Sequence, residues 1–173
     1  MKAVFEALAT YKAKVDESVL GIVEALGDDK ALAPTGAFFP TVFDELKHLY
    51  GSDINWIKRL KLAFPGSATL ASSRFAGYDA AALKDMGGAD RARLFADMRA
   101  IDLDIRAFVA ELDEAALAKS VTYTNYKGQV ETHELWKVLL QWFNHGTHHR
   151  GAISCQLDSL GVENDYSSVL AKI

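Results

Sequence analysis

The chain has 173 residues, of which half are hydrophobic and about a quarter are charged, and its formal net charge is −4. This composition is typical of a globular protein with a single domain. The acidic excess argues against nucleic acid as a partner, because binding to phosphates needs a surplus of Lys and Arg. No run approaches the roughly 20 uninterrupted apolar residues that span a bilayer, so we expect no membrane association.

Four segments carry apolar residues at three- and four-residue spacings and are predicted to be helices. In chain order they run from Lys2 to Leu26, from an N-cap at Thr41 to Phe64, from Gly87-Gly88 to Leu112, and from an N-cap at Thr132 to Leu160. Glycine or proline follows the first, second and fourth segments, at Gly27, Pro65-Gly66 and Gly161. These residues are common helix stop signals.

The connections between the predicted helices differ in character. Residues 65–88 are rich in Gly, Ala and Ser and are predicted to be a long loop with room for a helical turn. Residues 120–131 have β-branched and aromatic side chains on both sides of Asn125-Tyr126-Lys127-Gly128, which indicates a short hairpin or an extended crossover. The pattern predicts an all-α fold, an antiparallel four-helix bundle formed by residues 1–173 with this connection before its last helix.

The cysteine content and the N-terminus bear on the compartment. Cys155 is the only cysteine, so no intramolecular disulfide can form. The first residues carry charges throughout and lack the apolar run of a signal peptide. We therefore expect a cytoplasmic protein.

The segment 142–151 holds three of the five histidines of the chain, His145, His148 and His149. On a helix, His145 and His149 are about 40° apart, which suits two imidazoles that bind one ion at about 2.0–2.1 Å. Relative to the apolar face, His149 is displaced by about 40°, His145 by about 80° and His148 by about 140°. His148 is therefore predicted to be exposed. A hydrogen-bonded pair without a metal is equally compatible with this spacing.

His48, on the second predicted helix, is the candidate for a third ligand. Helical pitch places it roughly opposite the apolar face of that helix, as expected for a surface histidine. Its neighbours on the same strip include the small residues Gly51 and Ser52, which could also form the wall of a polar pocket. Periodicity leaves both interpretations open.

Two motifs together resemble the DinB family, the damage-inducible bundle proteins grouped with YfiT-like metalloenzymes and distinct from the DNA polymerase of the same name. The first motif runs from Phe39 to His48 and continues with Asp53, Trp56 and Arg59, and the second runs from Asn144 to Gly151. The resemblance extends over nearly the whole chain. Family members often carry Gln after the His-Arg-Gly triplet, where this chain has Ala152, so the chemistry beside the ligands differs here.

The resemblance implies a bundle that is commonly a homodimer, with metal ligands at the positions of His48, His145 and His149. It implies one divalent ion, for which we expect zinc or nickel first and iron or copper as alternatives. Three neutral imidazoles leave such an ion its full charge and an open position, so that it can polarise a carbonyl or lower the pKa of a water or thiol.

The implied function is that of a metal-dependent hydrolase or thiol transferase acting on a small thiol or another small molecule, with no catalytic residue assigned. The alternative is a non-enzymatic, metal-binding stress-response protein that acts through its dimer surface. A ferritin-like di-iron site is disfavoured, because it needs two Glu-x-x-His motifs and Glu45-x-x-His48 is the only one.

Several other residues carry separate expectations. Asp53 lies near the centre of the apolar face of the second helix, and we predict that it pairs with Arg150, with an acid/base role as the alternative. Trp56 and Trp142 are expected to be core residues. The Cys155 thiol and His133 are expected to be exposed.

Overall fold

Four long helices account for most of the computed structural model, which describes residues 1–173. In chain order the elements are α1 (Lys2–Ala31), α2 (Val42–Ala63), α3 (Ala68–Ser72), α4 (Arg91–Glu111), α5 (Glu114–Leu117), β1 (Ser120–Thr124), β2 (Val130–Glu134) and α6 (Leu135–Ser159). Short 3₁₀ helices lie at Arg74–Gly77, Ala80–Asp85 and Gly88–Asp90. The fold is mostly helical, as predicted, with one antiparallel two-stranded sheet.

The predicted start of α2 is confirmed in detail. Thr41 has extended backbone angles, and its side chain accepts a hydrogen bond from the backbone N–H of Asp44 at 3.0 Å. This contact satisfies one of the amide groups that have no partner at a helix N-terminus. The helix ends at the predicted place, with Phe64 as its C-cap before Pro65.

Other predicted boundaries are wrong. α1 continues past Leu26 to Ala31, with a kink at Gly27, where φ is 75°. Glycine adopts this left-handed angle without strain, so the chain turns and then resumes the helix. α6 starts at Leu135, because the segment predicted as its first turn forms β2. Thr132 lies opposite Thr122 in the hairpin and does not cap the helix.

The region predicted as a loop between α2 and α4 contains short helices. The residues of α3 and of the 3₁₀ helices at 74–77 and 80–85 contribute Leu70, Phe75 and Leu83 to the core. The last two of these segments lie against α2. They therefore cover part of the surface of α2.

The 39 buried hydrophobic residues form one cluster, to which all four long helices contribute. The predicted apolar face of α4 lies within it, as do Trp56 and Trp142. α1 packs against α4, and α2 packs against α6, so the two helices that carry the candidate ligands are neighbours. None of the helices has the length and apolar content needed to cross a membrane.

Candidate metal centre

The packing of α2 against α6 brings His48, His145 and His149 together. Their Nε2 atoms lie 3.3 Å apart between His48 and His145, 3.1 Å between His48 and His149, and 3.0 Å between His145 and His149. All three side chains are half-buried. His148 and His133 are exposed, as predicted, and take no part in the cluster.

The spacing of the three nitrogens fits a shared ion. In tetrahedral coordination at about 2.0–2.1 Å, two donor atoms lie about 3.3–3.4 Å apart. The observed separations are slightly shorter, and the three side chains could hold a metal ion. No Cys, Asp or Glu joins this group as a fourth ligand.

The opposite ring nitrogens of two of these histidines have partners on α2. Nδ1 of His149 contacts Oε1 of Glu45, a side chain that is only 2% exposed. Nδ1 of His145 lies 3.4 Å from Oγ of Ser52. A carboxylate acceptor such as Glu45 keeps the proton of His149 on Nδ1, orients the ring and leaves the Nε2 lone pair directed at the centre of the cluster. The Ser52 hydroxyl can either accept from or donate to Nδ1 of His145.

Phe39 covers the histidines at the N-terminal end of α2. Its ring stacks on that of His48, with centroids 4.6 Å apart and an angle of 29° between the planes. Its ring also meets that of His149 edge to face at 5.9 Å. This aromatic cover reduces the access of water to one side of the cluster.

The environment keeps the three imidazoles neutral. Burial, together with the nearby His149, lowers the pKa of His48 to about 4 and that of His145 to about 4. Burial also lowers the pKa of His149, with a further contribution from His148. Neutral imidazole is the form that binds metal ions. Burial raises the pKa of the Glu45 carboxyl to about 7.

A cleft of about 800 Å³ opens beside His48 and His145. One wall is a strip of α2 that includes Gly51 and Ser52, the two small residues that could form a polar pocket. The other wall comes from α6, from the hairpin turn at Tyr126 and from the 3₁₀ helix at 80–85. A small molecule in this cleft would have direct access to the histidine cluster.

Comparison with protein families identifies the chain. The model of the DinB family matches residues 1–172. The chain belongs to the DinB family. No curated protein and no solved structure gives a significant match.

In this DinB-family chain, a buried ionic network lies next to the site. Nζ of Lys12 is 2.8 Å from Asp16 and 2.8 Å from Asp53, and it also contacts Asp102. All four residues are at most 5% exposed. The carboxylates hold the pKa of Lys12 well above its ordinary value against the effect of burial. Burial raises the pKa of Asp102 to about 7.

The predicted pair of Asp53 and Arg150 is wrong. Asp53 is buried, as its place on the apolar face indicated, but it accepts a hydrogen bond from Nε1 of Trp142 at 2.6 Å and pairs with Lys12. Arg150 donates instead to Asp16 at 3.1 Å. The prediction considered only α2 and α6, whereas both cation–carboxylate pairs involve a partner on α1.

Glu45 and Lys12 are two residues of this family member whose roles the sequence analysis missed. Both lie among apolar residues at helical spacing. Glu45 comes three residues after Val42 and four before Leu49, and Lys12 comes four residues after Leu8 and three before Val15. A charged side chain in an apolar stripe has to find a buried partner. That signal could have identified both residues, although it does not say which partner each one has.

Proposed function

We propose that this protein holds one divalent metal ion with His48, His145 and His149 and acts as a hydrolase or thiol transferase on a small molecule in the adjacent cleft. The observation that carries the proposal is the convergence of three Nε2 atoms, from two helices, at 3.0–3.3 Å. Zinc or nickel is the first expectation for such a ligand set, with iron or copper as alternatives.

Hydrogen bonds among the three rings do not account for this arrangement. A neutral imidazole has one donor nitrogen and one acceptor nitrogen. Each of the three Nε2 atoms is therefore either a donor or an acceptor, so at least two of them have the same role and at least one of the three contacts at 3.0–3.3 Å is not a hydrogen bond. A cation between the three rings, with all three Nε2 lone pairs directed at it, removes this repulsion.

When bound, a divalent ion with three imidazole ligands and an open position acts as a Lewis acid and lowers the pKa of a water or thiol. The residues of the chain supply the conditions for this chemistry. Glu45 and Ser52 orient the rings, Phe39 shields one side of the cluster, and the cleft admits the substrate from the side of His48 and His145.

Metal analysis of untagged protein tests the proposal. Wild-type protein is expected to retain about one equivalent of metal after dialysis, and His145→Ala is expected to lose it, because only two of the ligands remain. His148→Ala is the matched control, since His148 lies on the same helix but is exposed. Equal metal contents in wild type and His145→Ala would contradict the proposal.

We also propose that the chain is one domain, an antiparallel four-helix bundle that forms a homodimer in the cytoplasm. Its single hydrophobic cluster and four long helices support the first two parts. Sedimentation equilibrium tests the dimer. The non-enzymatic function considered from the sequence uses the same three ligands, so turnover of a substrate, rather than metal content, separates it from the enzymatic one.

A further inference from the structure

The cleft beside the histidines contains a guanidinium group without an acidic partner. Arg59 is half-buried and lines this cleft, yet it forms neither a salt bridge nor a side-chain hydrogen bond. It packs instead against two aromatic rings, 4.8 Å from the ring centroid of Trp56 and 5.0 Å from that of Tyr123, which meet each other edge to face. Aromatic rings accept no conventional hydrogen bond, so these contacts leave the N–H donors of Arg59 without an oxygen partner and free for a ligand.

The nearest acidic side chain does not occupy that edge. Glu131 lies on the hairpin, where it accepts hydrogen bonds from Tyr123 at 2.8 Å and from Asn125 at 2.6 Å. It influences Arg59 only through its charge and is beyond ion-pair distance. The carboxylate is therefore held by the hairpin, and the guanidinium remains available.

The distance between His48 and Arg59 sets the length of a ligand that contacts both residues in the cleft. His48, Ser52, Asn55 and Arg59 follow one strip of α2, and all four line the cleft. The helical rise puts the Cα atom of Arg59 about 16 Å from that of His48. A molecule that contacts both side chains has to be elongated.

The charges of the cleft favour an anion. Lys47, Arg59 and Lys84 line it, against the single carboxylate of Asp44. Asp44 is 2.9 Å from Nζ of Lys47, so these two charges offset each other. The remaining positive potential attracts anionic ligands into the cleft.

We propose that the cleft binds an elongated anionic small molecule, whose carboxylate or other oxyanion pairs with the edge of Arg59 while its reactive group lies beside the three histidines. The inference rests on the proposed function for the histidine end of the cleft. The guanidinium end is a separate binding element, since two parallel N–H groups match the two oxygens of a carboxylate or phosphate.

Two-headed thiols test the proposal on the cobalt-loaded protein. Dissociation constants of ω-mercapto acids and of ω-mercapto alcohols of equal length are measured from the sulfur-to-cobalt absorption band. At the optimal chain length the acid is expected to bind about 10- to 100-fold more tightly than the alcohol, the range for a hydrogen bond between charged groups. The ω-mercaptoalkyl phosphate of that length shows whether the oxyanion is a carboxylate or a phosphate.

Substitutions of Arg59 and Lys84 show which side chain causes the preference for the acid over the alcohol. Arg59→Gln should reduce the preference for the acid to near unity and leave the affinity for the alcohol within about twofold. Lys84→Gln, which removes an exposed cation from the same cleft, should change the preference by less than about threefold. Arg59→Lys should give an intermediate preference, because Lys keeps the charge without the planar pair of donors, and it serves if Arg59→Gln does not fold.

The inference would be overturned if wild-type protein bound the acid less than about twofold more tightly than the alcohol at every chain length. It would also be overturned if Arg59→Gln kept the full wild-type preference for the acid. A binding experiment without metal separates failure of the proposed metal site from failure of the Arg59 site. In the His145→Ala variant, hexanoate but not hexanol should change the tryptophan fluorescence, to which Trp56 beside Arg59 contributes, and adding Arg59→Gln should abolish that change. Loss of cobalt binding with this response intact would count against the proposed function alone.

Discussion

Replacing Lys12 with Met should destabilise the protein strongly, because the ammonium group is shared by three buried carboxylates. Lys12 contacts Asp16, Asp53 and Asp102, and each of these residues is 4–5% exposed. Methionine has a similar volume and leaves the packing nearly unchanged. The variant therefore isolates the contribution of the charge.

The expected loss follows from the contacts that remain. Asp16 keeps its bond from Arg150 and Asp53 keeps its bond from Trp142, but Asp102 loses its only partner. Breaking a buried ion pair by removing one member costs about 3–5 kcal/mol. We expect this loss in the free energy of unfolding at pH 8.5.

The loss in free energy of unfolding caused by Lys12→Met should also grow as pH rises. Burial raises the folded-state pKa of Asp102 to about 7, above its unfolded value, so the contribution of Asp102 to the free energy of unfolding falls as pH rises from about 4 to about 7. Without Lys12 this pKa rises further, because an attractive charge is lost. In the variant the contribution of Asp102 should then continue to fall above pH 7, so the loss of stability relative to wild type should grow between pH 7 and pH 8.5.

Urea denaturation followed by circular dichroism at pH 5.5, 7 and 8.5 measures these quantities. A chelator removes any contribution of bound metal. Lys14→Met is the matched control, since Lys14 is exposed on the same helix, and its change should stay within about 0.5 kcal/mol. A loss for Lys12→Met below about 1 kcal/mol at pH 8.5, or one that does not grow with pH, would refute the reasoning.

Two further predictions concern residues around the site. Glu45→Gln should weaken metal affinity about 10- to 100-fold, because the carboxylate that orients His149 is lost. Competition with a chromophoric chelator measures this affinity, and Asp44→Asn is the control. Unchanged affinity in Glu45→Gln would count against this role. The free energy of unfolding of Asp102→Asn minus that of wild type should rise between pH 4 and pH 7, as measured by urea denaturation, because the variant lacks the Asp102 contribution that falls over this range, while the other groups titrate in both proteins. The same slope in wild type and variant would contradict this second prediction.

Local patterns in the sequence predicted the elements of the fold well. The N-cap at Thr41 and the apolar face of α4 follow from propensity and helical pitch, and both are confirmed. The one-turn spacing of His145 and His149 likewise identified two of the three clustered histidines from helix geometry alone. These features depend on residues close together in the sequence.

Features that depend on distant segments were not predictable in this way. Pitch placed His48 opposite the apolar face of α2, but Phe39 stacks on its ring and α6 brings two further rings against it. The partner of Asp53 comes from α1, whose position relative to α2 no local pattern records. The capping preference of Thr predicted the start of a helix at Thr132, whereas pairing with Thr122 extends the hairpin through this residue.

X-ray absorption spectroscopy of the zinc-loaded, untagged protein tests the central claim most directly. It reports the ligands of the ion itself. We expect three imidazole nitrogens at about 2.0–2.1 Å from the zinc ion and one or two further light atoms that the chain does not supply. A spectrum with sulfur ligation, or with fewer than three imidazoles, would contradict the assignment of His48, His145 and His149 as the metal site.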